Sequence, residues 1–193
     1  MRVLVVHAHP RADSFSAALR DTVRTALEAA GHAVELRDLY AEGFNAALTA
    51  EERAVYHTEG ANEAGIEDHV AALRRTEALV LVYPTWWYGL PAILKGWFDR
   101  VWSPGIAFHI GEGAIEPLLT NITRIAVVTT YGSPLWLLWY IGWPDHKLIG
   151  RGIRRLCAKE CRLDWVYLHG MDRRQRPALE AFLHRVHTHF SGW

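Results

Sequence analysis

Three short segments carry the residue types that bind and orient a ligand. The first, His7-Ala8-His9-Pro10-Arg11-Ala12-Asp13-Ser14-Phe15-Ser16, runs from an apolar β-branched stretch straight into a helical pattern. Free backbone N–H groups and the positive end of a helix dipole make such a junction an anion site. The hydroxyls of Ser14 and Ser16 and the side chains of His9 and Arg11 are further donors; the bland alternative is that Ser14 only caps the helix. Neither G-x-G-x-x-G nor G-x-x-x-x-G-K-S/T is present, which argues against a Rossmann dinucleotide site and a P-loop. The second segment, Pro84-Thr85-Trp86-Trp87-Tyr88-Gly89-Leu90-Pro91, sets three aromatics in succession, on which a planar heteroaromatic ligand stacks. The third, Thr129-Thr130-Tyr131-Gly132-Ser133, offers hydroxyls, backbone donors and one more ring. A phosphate cradle, an aromatic shelf and a donor-rich loop together describe a flavin site. The phosphate sits at the helix start, the isoalloxazine across the shelf and the pyrimidine edge on the third loop.

Each segment must be held by the element before it. Ala78 to Tyr83 is a continuous apolar run of the kind buried on both faces of a parallel sheet, Arg2 to His7 is a short β-branched apolar run, and Ala33 to Asp38, Arg124 to Thr130 and Leu163 to Leu168 read as further strands. Between them lie helical patterns. Ser14 to Ala30 carries Phe15, Leu19, Val23 and Leu27 at helical spacing and stops at Gly31. Thr49 with Glu52 three residues on predicts a capped short helix, and helices are expected over Ile66 to Arg75, Pro91 to Trp102, His146 to Lys159 and Arg174 to Phe190. Strands alternating with helices predict an α/β fold in which a parallel sheet is covered on both faces. No linker or repeat interrupts the alternation, so residues 1–193 read as one domain. In such a sheet ligands bind outside the carboxyl ends of the strands, where these three segments fall.

The 193 residues hold 21 basic and 21 acidic side chains, a balance without the positive field of a nucleic-acid binder. Small molecules or another protein are the expected partners. No apolar leader with a cleavage site opens the chain, so a cytoplasmic location is expected. Cys157 and Cys161, the two cysteines, are read as core residues on one helical face, and no metal site is expected. His184, His187 and His189 lack further ligands at metal spacing and read as a solvated helix face. No G-x-S-x-G elbow supports Ser14 as a nucleophile. Leu135-Trp136-Leu137-Leu138-Trp139-Tyr140-Ile141 is far short of the ~20 residues that span a bilayer. A cover over the pocket, a dimer contact and a peripheral membrane contact stay open for it.

The segments from His9 to Ser16, Asp38-Leu39-Tyr40 with Phe44-Asn45, and above all Gly89 to Val101 resemble the flavodoxin-like NAD(P)H quinone oxidoreductases of the DT-diaphorase group. The nearer likeness is to a bacterial branch that includes modulators of drug activity and ancillary subunits of potassium efflux systems. The resemblance reaches to about Gly132 and implies a five-stranded flavodoxin-like sheet. It also implies a homodimer with one flavin per subunit, usually FAD with FMN as the alternative. Such an enzyme passes two electrons from NAD(P)H to a quinone or similar small acceptor, in ping-pong order. By the same resemblance His9, Phe15 and Ser16 meet the pyrophosphate and ribityl region. Pro84 to Trp87 and Thr129 to Gly132 meet the isoalloxazine, and Phe108 faces nicotinamide or quinone from the other subunit. Two departures stand out. Tyr131 occupies a position that is glycine in the animal enzymes, and their Tyr and His relay has no matching pair here; Tyr131, Tyr140 and His146 are the candidates for its role, with Trp139 as a substrate contact. The competing reading is a flavin-binding regulatory subunit of a membrane transport system or a low-turnover electron carrier, although small carriers of this kind are acidic and this chain is neutral.

Overall fold

Val3 and Val5 alternate with Leu4 and Val6 along the first strand, and all four are buried because the strand is covered on both faces. The computed structural model describes residues 1–193. Its strands are β1 (Arg2–His7), β2 (Ala33–Asp38), β3 (Ala78–Pro84), β4 (Phe108–Ile110), β5 (Ile115–Pro117), β6 (Arg124–Thr130) and β7 (Arg162–Leu168). Five of them form one parallel sheet in the order β2-β1-β3-β6-β7, the expected α/β flavodoxin-like arrangement. The helices are α1 (Phe15–Ala29), α2 (Ala50–Val55), α3 (Glu67–Arg75), α4 (Ala92–Val101), α5 (Leu135–Ile141), α6 (Pro144–Lys147) and α7 (Arg176–Ser191).

The two faces of the sheet have separate cores. Val3, Val5, Val80 and Val82 pack on Leu19, Val23 and Leu27 of α1 and on Phe182, Val186 and Phe190 of α7. Leu4, Val6, Leu79 and Leu81 pack on Val70 and Leu73 of α3 and on Leu94, Trp97 and Val101 of α4. Thr49 and Glu52 form the expected capping box at α2. Beneath α4 a buried polar chain replaces apolar contacts. Trp97 Nε1 donates to His69 Nδ1 at 3.3 Å, and the opposite ring nitrogen of His69 lies 3.3 Å from Glu42. Accepting from Trp97 requires an unprotonated Nδ1, in accord with a pKa that burial lowers to about 4.

The structure departs from the sequence expectation in three places. The helix expected over His146 to Lys159 is replaced by α6, a π-helical turn over Leu148–Gly152 and a 3-10 turn over Ile153–Leu156. Gly150 and Gly152 fall inside that stretch, where glycine weakens α-helix by about 1 kcal/mol each. Cys157 and Cys161 are consequently not on one helical face, although both are buried in the core. The apolar run after Pro134 is the short helix α5, with only Leu138 buried. The hairpin β4-β5 was not expected; it carries exposed Ile110 and Ile115 near its tip. No helix is long and apolar enough to cross a membrane.

Candidate functional site

The strand order reverses between β1 and β3, and their carboxyl ends lie side by side with that of β6: His7 pairs with Val82, and Tyr83 with Thr129. The loop after β1 is anchored from below by His7. Its Nδ1 lies 2.9 Å from Asp38 Oδ2, which also accepts from Arg20 at 2.8 Å, and its Nε2 lies 3.3 Å from Ser16 Oγ. Burial lowers the His7 pKa against the pull of Asp38. Ser14 is the N-cap of α1, accepting from Ala17 N–H at 3.1 Å. The N–H groups of Phe15 and Ser16 in the first helical turn have no intrahelical partner, which leaves the anion cradle open.

Two expected donors are otherwise engaged. Arg11 is forked onto Asp13 at 3.0 and 2.7 Å in an exposed pair that a ligand phosphate can exchange, and that contact holds the Asp13 carboxyl below its usual range. The buried Ser16 hydroxyl faces His7 rather than the loop, leaving only its backbone to the cradle. His9 is half-buried with its ring 6.2 Å from that of Trp86, and Phe15 packs at 6.2 Å on Phe182.

The loop after β3 turns sharply. Trp86 N–H donates to Gly89 O at 3.2 Å and Gly89 N–H to Trp86 O at 3.0 Å, while Trp87 and Tyr88 take φ of 49° and 60°. Paired left-handed residues across such a bridge are normally Asn-Gly. Bulky side chains there cost on the order of 1 kcal/mol or more apiece, a strain typical of functional loops. The turn leaves the N–H groups of Trp87 and Tyr88 without an intramolecular acceptor and drives the Trp87 ring out to 96% exposure. The three aromatics therefore do not make one flat shelf. Trp86 turns toward His9, Trp87 projects, and the Tyr88 hydroxyl accepts from Ser133 Oγ at 3.1 Å.

Thr85, Trp87, Tyr88, Tyr131, Gly132, Ser133 and Asp172 line a cavity of about 320 Å³ at this junction. Gly132 and Ser133, which line it, have N–H groups without an intramolecular acceptor, whereas Tyr131 N–H is taken by Leu168 O at 2.8 Å. A Cβ on Gly132 would stand 2.5 Å from Asp172 Oδ2, so the glycine leaves room for that carboxylate. Pro84 ends β3, and Thr129 is buried with its hydroxyl 2.9 Å from that of Thr85. Thr130 is also buried, and its carbonyl accepts from Thr85 N–H at 2.9 Å. Thr129 is therefore framework on this contact, a correction to the expectation that it offers its hydroxyl, while Thr130 is held through its backbone.

The remaining candidates separate. Tyr131 borders the cavity, but its ring is turned inward: its hydroxyl donates to Asp145 Oδ2 at 2.7 Å and accepts from Trp165 Nε1 at 3.3 Å. Burial first, then Asp145, raises its pKa, so the phenol stays protonated. Tyr140 is exposed on α5 and lines neither cavity in this region. His146 and Trp139 face a different cavity, about 540 Å³, together with Trp143, Lys147, Arg151 and Tyr167. Phe108 packs half-buried against the core and does not reach the 320 Å³ cavity of its own chain. Asp145 and Asp172 were missed in the sequence. Nothing local marks Asp145, whose contacts reach back 14 and 62 residues to Tyr131 and Tyr83.

Residues 1–142 match the family described as having a flavodoxin-like fold. The chain is 31% identical over 159 residues to the uncharacterized NAD(P)H oxidoreductase YcaK of Escherichia coli (strain K12), covering 81% of this chain and 76% of that protein. It is 29% identical over 148 residues to NAD(P)H dehydrogenase (quinone) 1 of Rattus norvegicus, covering 68% of this chain. That stretch is 54% of the rat protein, so the chain spans about half of this relative's length. Among solved structures it is similar to the NAD(P)H:quinone oxidoreductase from Methanothermobacter marburgensis, with TM-score 0.81 and 29% identity over 99% of this chain and 94% of that one.

Proposed function

Because this chain belongs to the flavodoxin-like family that contains NAD(P)H oxidoreductases, we propose that it is a flavin-dependent NAD(P)H oxidoreductase that reduces quinones or similar small acceptors. The observation that carries the reading is the strained turn over Trp86 to Gly89. It spends backbone energy to hold two free N–H groups and an exposed indole beside the free N–H groups of Gly132 and Ser133. Four free N–H groups on residues that line one cavity fit the acceptor-rich pyrimidine edge of a flavin, and the indole fits its ring. When bound, the flavin supplies the hydride chemistry, taking two electrons from NAD(P)H and giving them to the acceptor.

The chain's own part is to bind and orient. Phe15 and Ser16 N–H hold the phosphate at the start of α1, and His9 closes the side of the cradle next to Trp86. Thr85 and Tyr131 form the inner wall, and Tyr88, tied to Ser133, fixes the distance between the two loops. In this reading the chain is one domain acting as a cytoplasmic homodimer, with Phe108 serving the partner's site.

FAD is favoured over FMN by a neighbouring cavity of about 710 Å³ between β7 and α7, lined by Tyr167, His169, Arg174, Phe182 and Arg185 among others. Phe15 touches Phe182, so this cavity begins beside the phosphate cradle. Its rings and arginines suit an adenine and a second phosphate. Flavin released by heat from protein saturated with both cofactors in equal amount, identified chromatographically, is expected to be FAD. Predominant FMN overturns the adenine assignment, and a colourless protein overturns the whole reading.

A further inference from the structure

Asp145 is the most deeply buried carboxylate, 1% exposed, and no cation pairs with it. Three hydroxyls converge on its Oδ2: Tyr131 at 2.7 Å, Thr85 at 3.4 Å and Tyr83 at 3.5 Å. Its Oδ1 is buried without a partner at hydrogen-bonding geometry, and the nearby N–H groups of Asp145 and His146 at the start of α6 offset only part of the cost of burial. The titratable groups that face it are Tyr83 from β3, Tyr131 from the loop after β6, and His146 beside it on α6. Both phenols stay protonated and His146 is held toward its neutral form by burial, so none supplies a positive charge. A buried unpaired carboxylate normally takes up a proton or is replaced by a neutral group. Accepting three hydroxyl donors requires no charge; an asparagine carbonyl would serve. Thr85 and Tyr131, which hold Asp145, are also the inner wall of the 320 Å³ cavity.

Resting on the flavin reading above, we propose that Asp145 is a positioning residue that sets the charge at this cavity: its carboxylate opposes negative charge arriving there, so that a proton enters with it. Hydride arriving from NAD(P)H adds one negative charge at the cavity edge. One solvent proton bound at Asp145 cancels it, and the proton leaves when the hydride passes to the acceptor. The orphaned Oδ1 is the atom free to carry that proton. Burial raises the Asp145 pKa more than its hydrogen bonds lower it, consistent with a group poised to accept a proton.

Two measurements on Asp145→Asn and Tyr131→Phe test this. The first needs no cofactor. A carboxyl whose pKa is raised by folding destabilises the fold once pH exceeds its unfolded value, about 3.9, with the penalty growing up to the folded pKa. Flavin-free Asp145→Asn should therefore melt above the wild type at pH 8, the gap closing toward pH 4. The second is the midpoint potential of bound flavin. Asp145→Asn should move it to more positive values and flatten its dependence on pH. Tyr131→Phe, by withdrawing the shortest hydrogen bond to the carboxylate, should move it in the same direction, with no further shift in the double variant. An Asp145→Asn protein that melts below the wild type at every pH makes the carboxylate structural and overturns the inference, whether or not flavin binds. An unchanged potential and slope overturn it equally. A wild type that binds no flavin instead overturns the functional reading and, with it, the proposed target of the charge.

Discussion

Replacing Trp87 by glycine is expected to weaken flavin retention by about 1–3 kcal/mol, the range seen when a ring that stacks on a planar base is removed. The same change should leave the flavin-free protein as stable as before or more so. The indole contacts almost nothing in its own chain, being 96% exposed, so its removal opens no cavity. Its backbone φ of 49° is strained for tryptophan and free for glycine, which returns about 1 kcal/mol. Trp87→Ala separates the two effects, losing the ring but keeping the strain. Flavin titration by fluorescence and thermal melting of the flavin-free proteins read both signs. Full flavin affinity in Trp87→Gly, or a large fall in its Tm, would mean that the ring serves the fold and that the turn is not the cofactor's support.

The largest loss of stability is expected at Gly96, inside the segment that carries the strongest family likeness. A Cβ there would lie 2.6 Å from the Cα of Ala46, a backbone atom that has nowhere to move. Helix α4 thus passes directly under the loop after β2. Overpacking of this kind costs roughly 1–3 kcal/mol and occasionally more, while alanine's helix preference returns about 1 kcal/mol. Because the clash is with backbone, Gly96→Ala should fall at the upper end of that balance, destabilised by up to about 2 kcal/mol in urea unfolding. Gly152→Ala, whose added Cβ would find only Leu148 Cδ1 at 3.8 Å, is the matched control and should stay within about 0.5 kcal/mol of wild type. Equal stability of the two variants would contradict the packing account.

Why some of this was legible follows from how each element is stabilised. β1, β3 and β6 are continuous apolar runs because both faces of the sheet are covered, and a run of that kind is visible without any partner. The α1 junction was likewise readable, since its cap and periodicity are local. Helix α5 was not, because Leu135-Trp136-Leu137-Leu138-Trp139-Tyr140-Ile141 is apolar on every side and shows no period. Residues 148–156 follow a helical pattern that Gly150 and Gly152 weaken, and they adopt π and 3-10 turns. At the site, the types of Trp86, Trp87 and Tyr88 were informative but their directions were not. A left-handed turn built from two bulky residues breaks the preference that sequence reasoning depends on. Arg11 reads as an anion ligand by its type, and its exposed contact with Asp13, two residues on, shows only in the folded chain. Asp145 left no local trace, since only the folded chain brings it beneath Tyr131.

In the proposed function the cavity at the ends of β3 and β6 holds a flavin that works between NAD(P)H and a small acceptor. Steady-state oxidation of NAD(P)H by the flavin-loaded protein, with a quinone as the varied second substrate, tests it most directly. Flavin-dependent turnover well above that of the same concentration of free flavin is expected, with the parallel double-reciprocal lines of a ping-pong reaction. A loaded protein that oxidises NAD(P)H no faster than free flavin, or only when a membrane transport partner is added, would contradict it and make the chain a regulatory subunit.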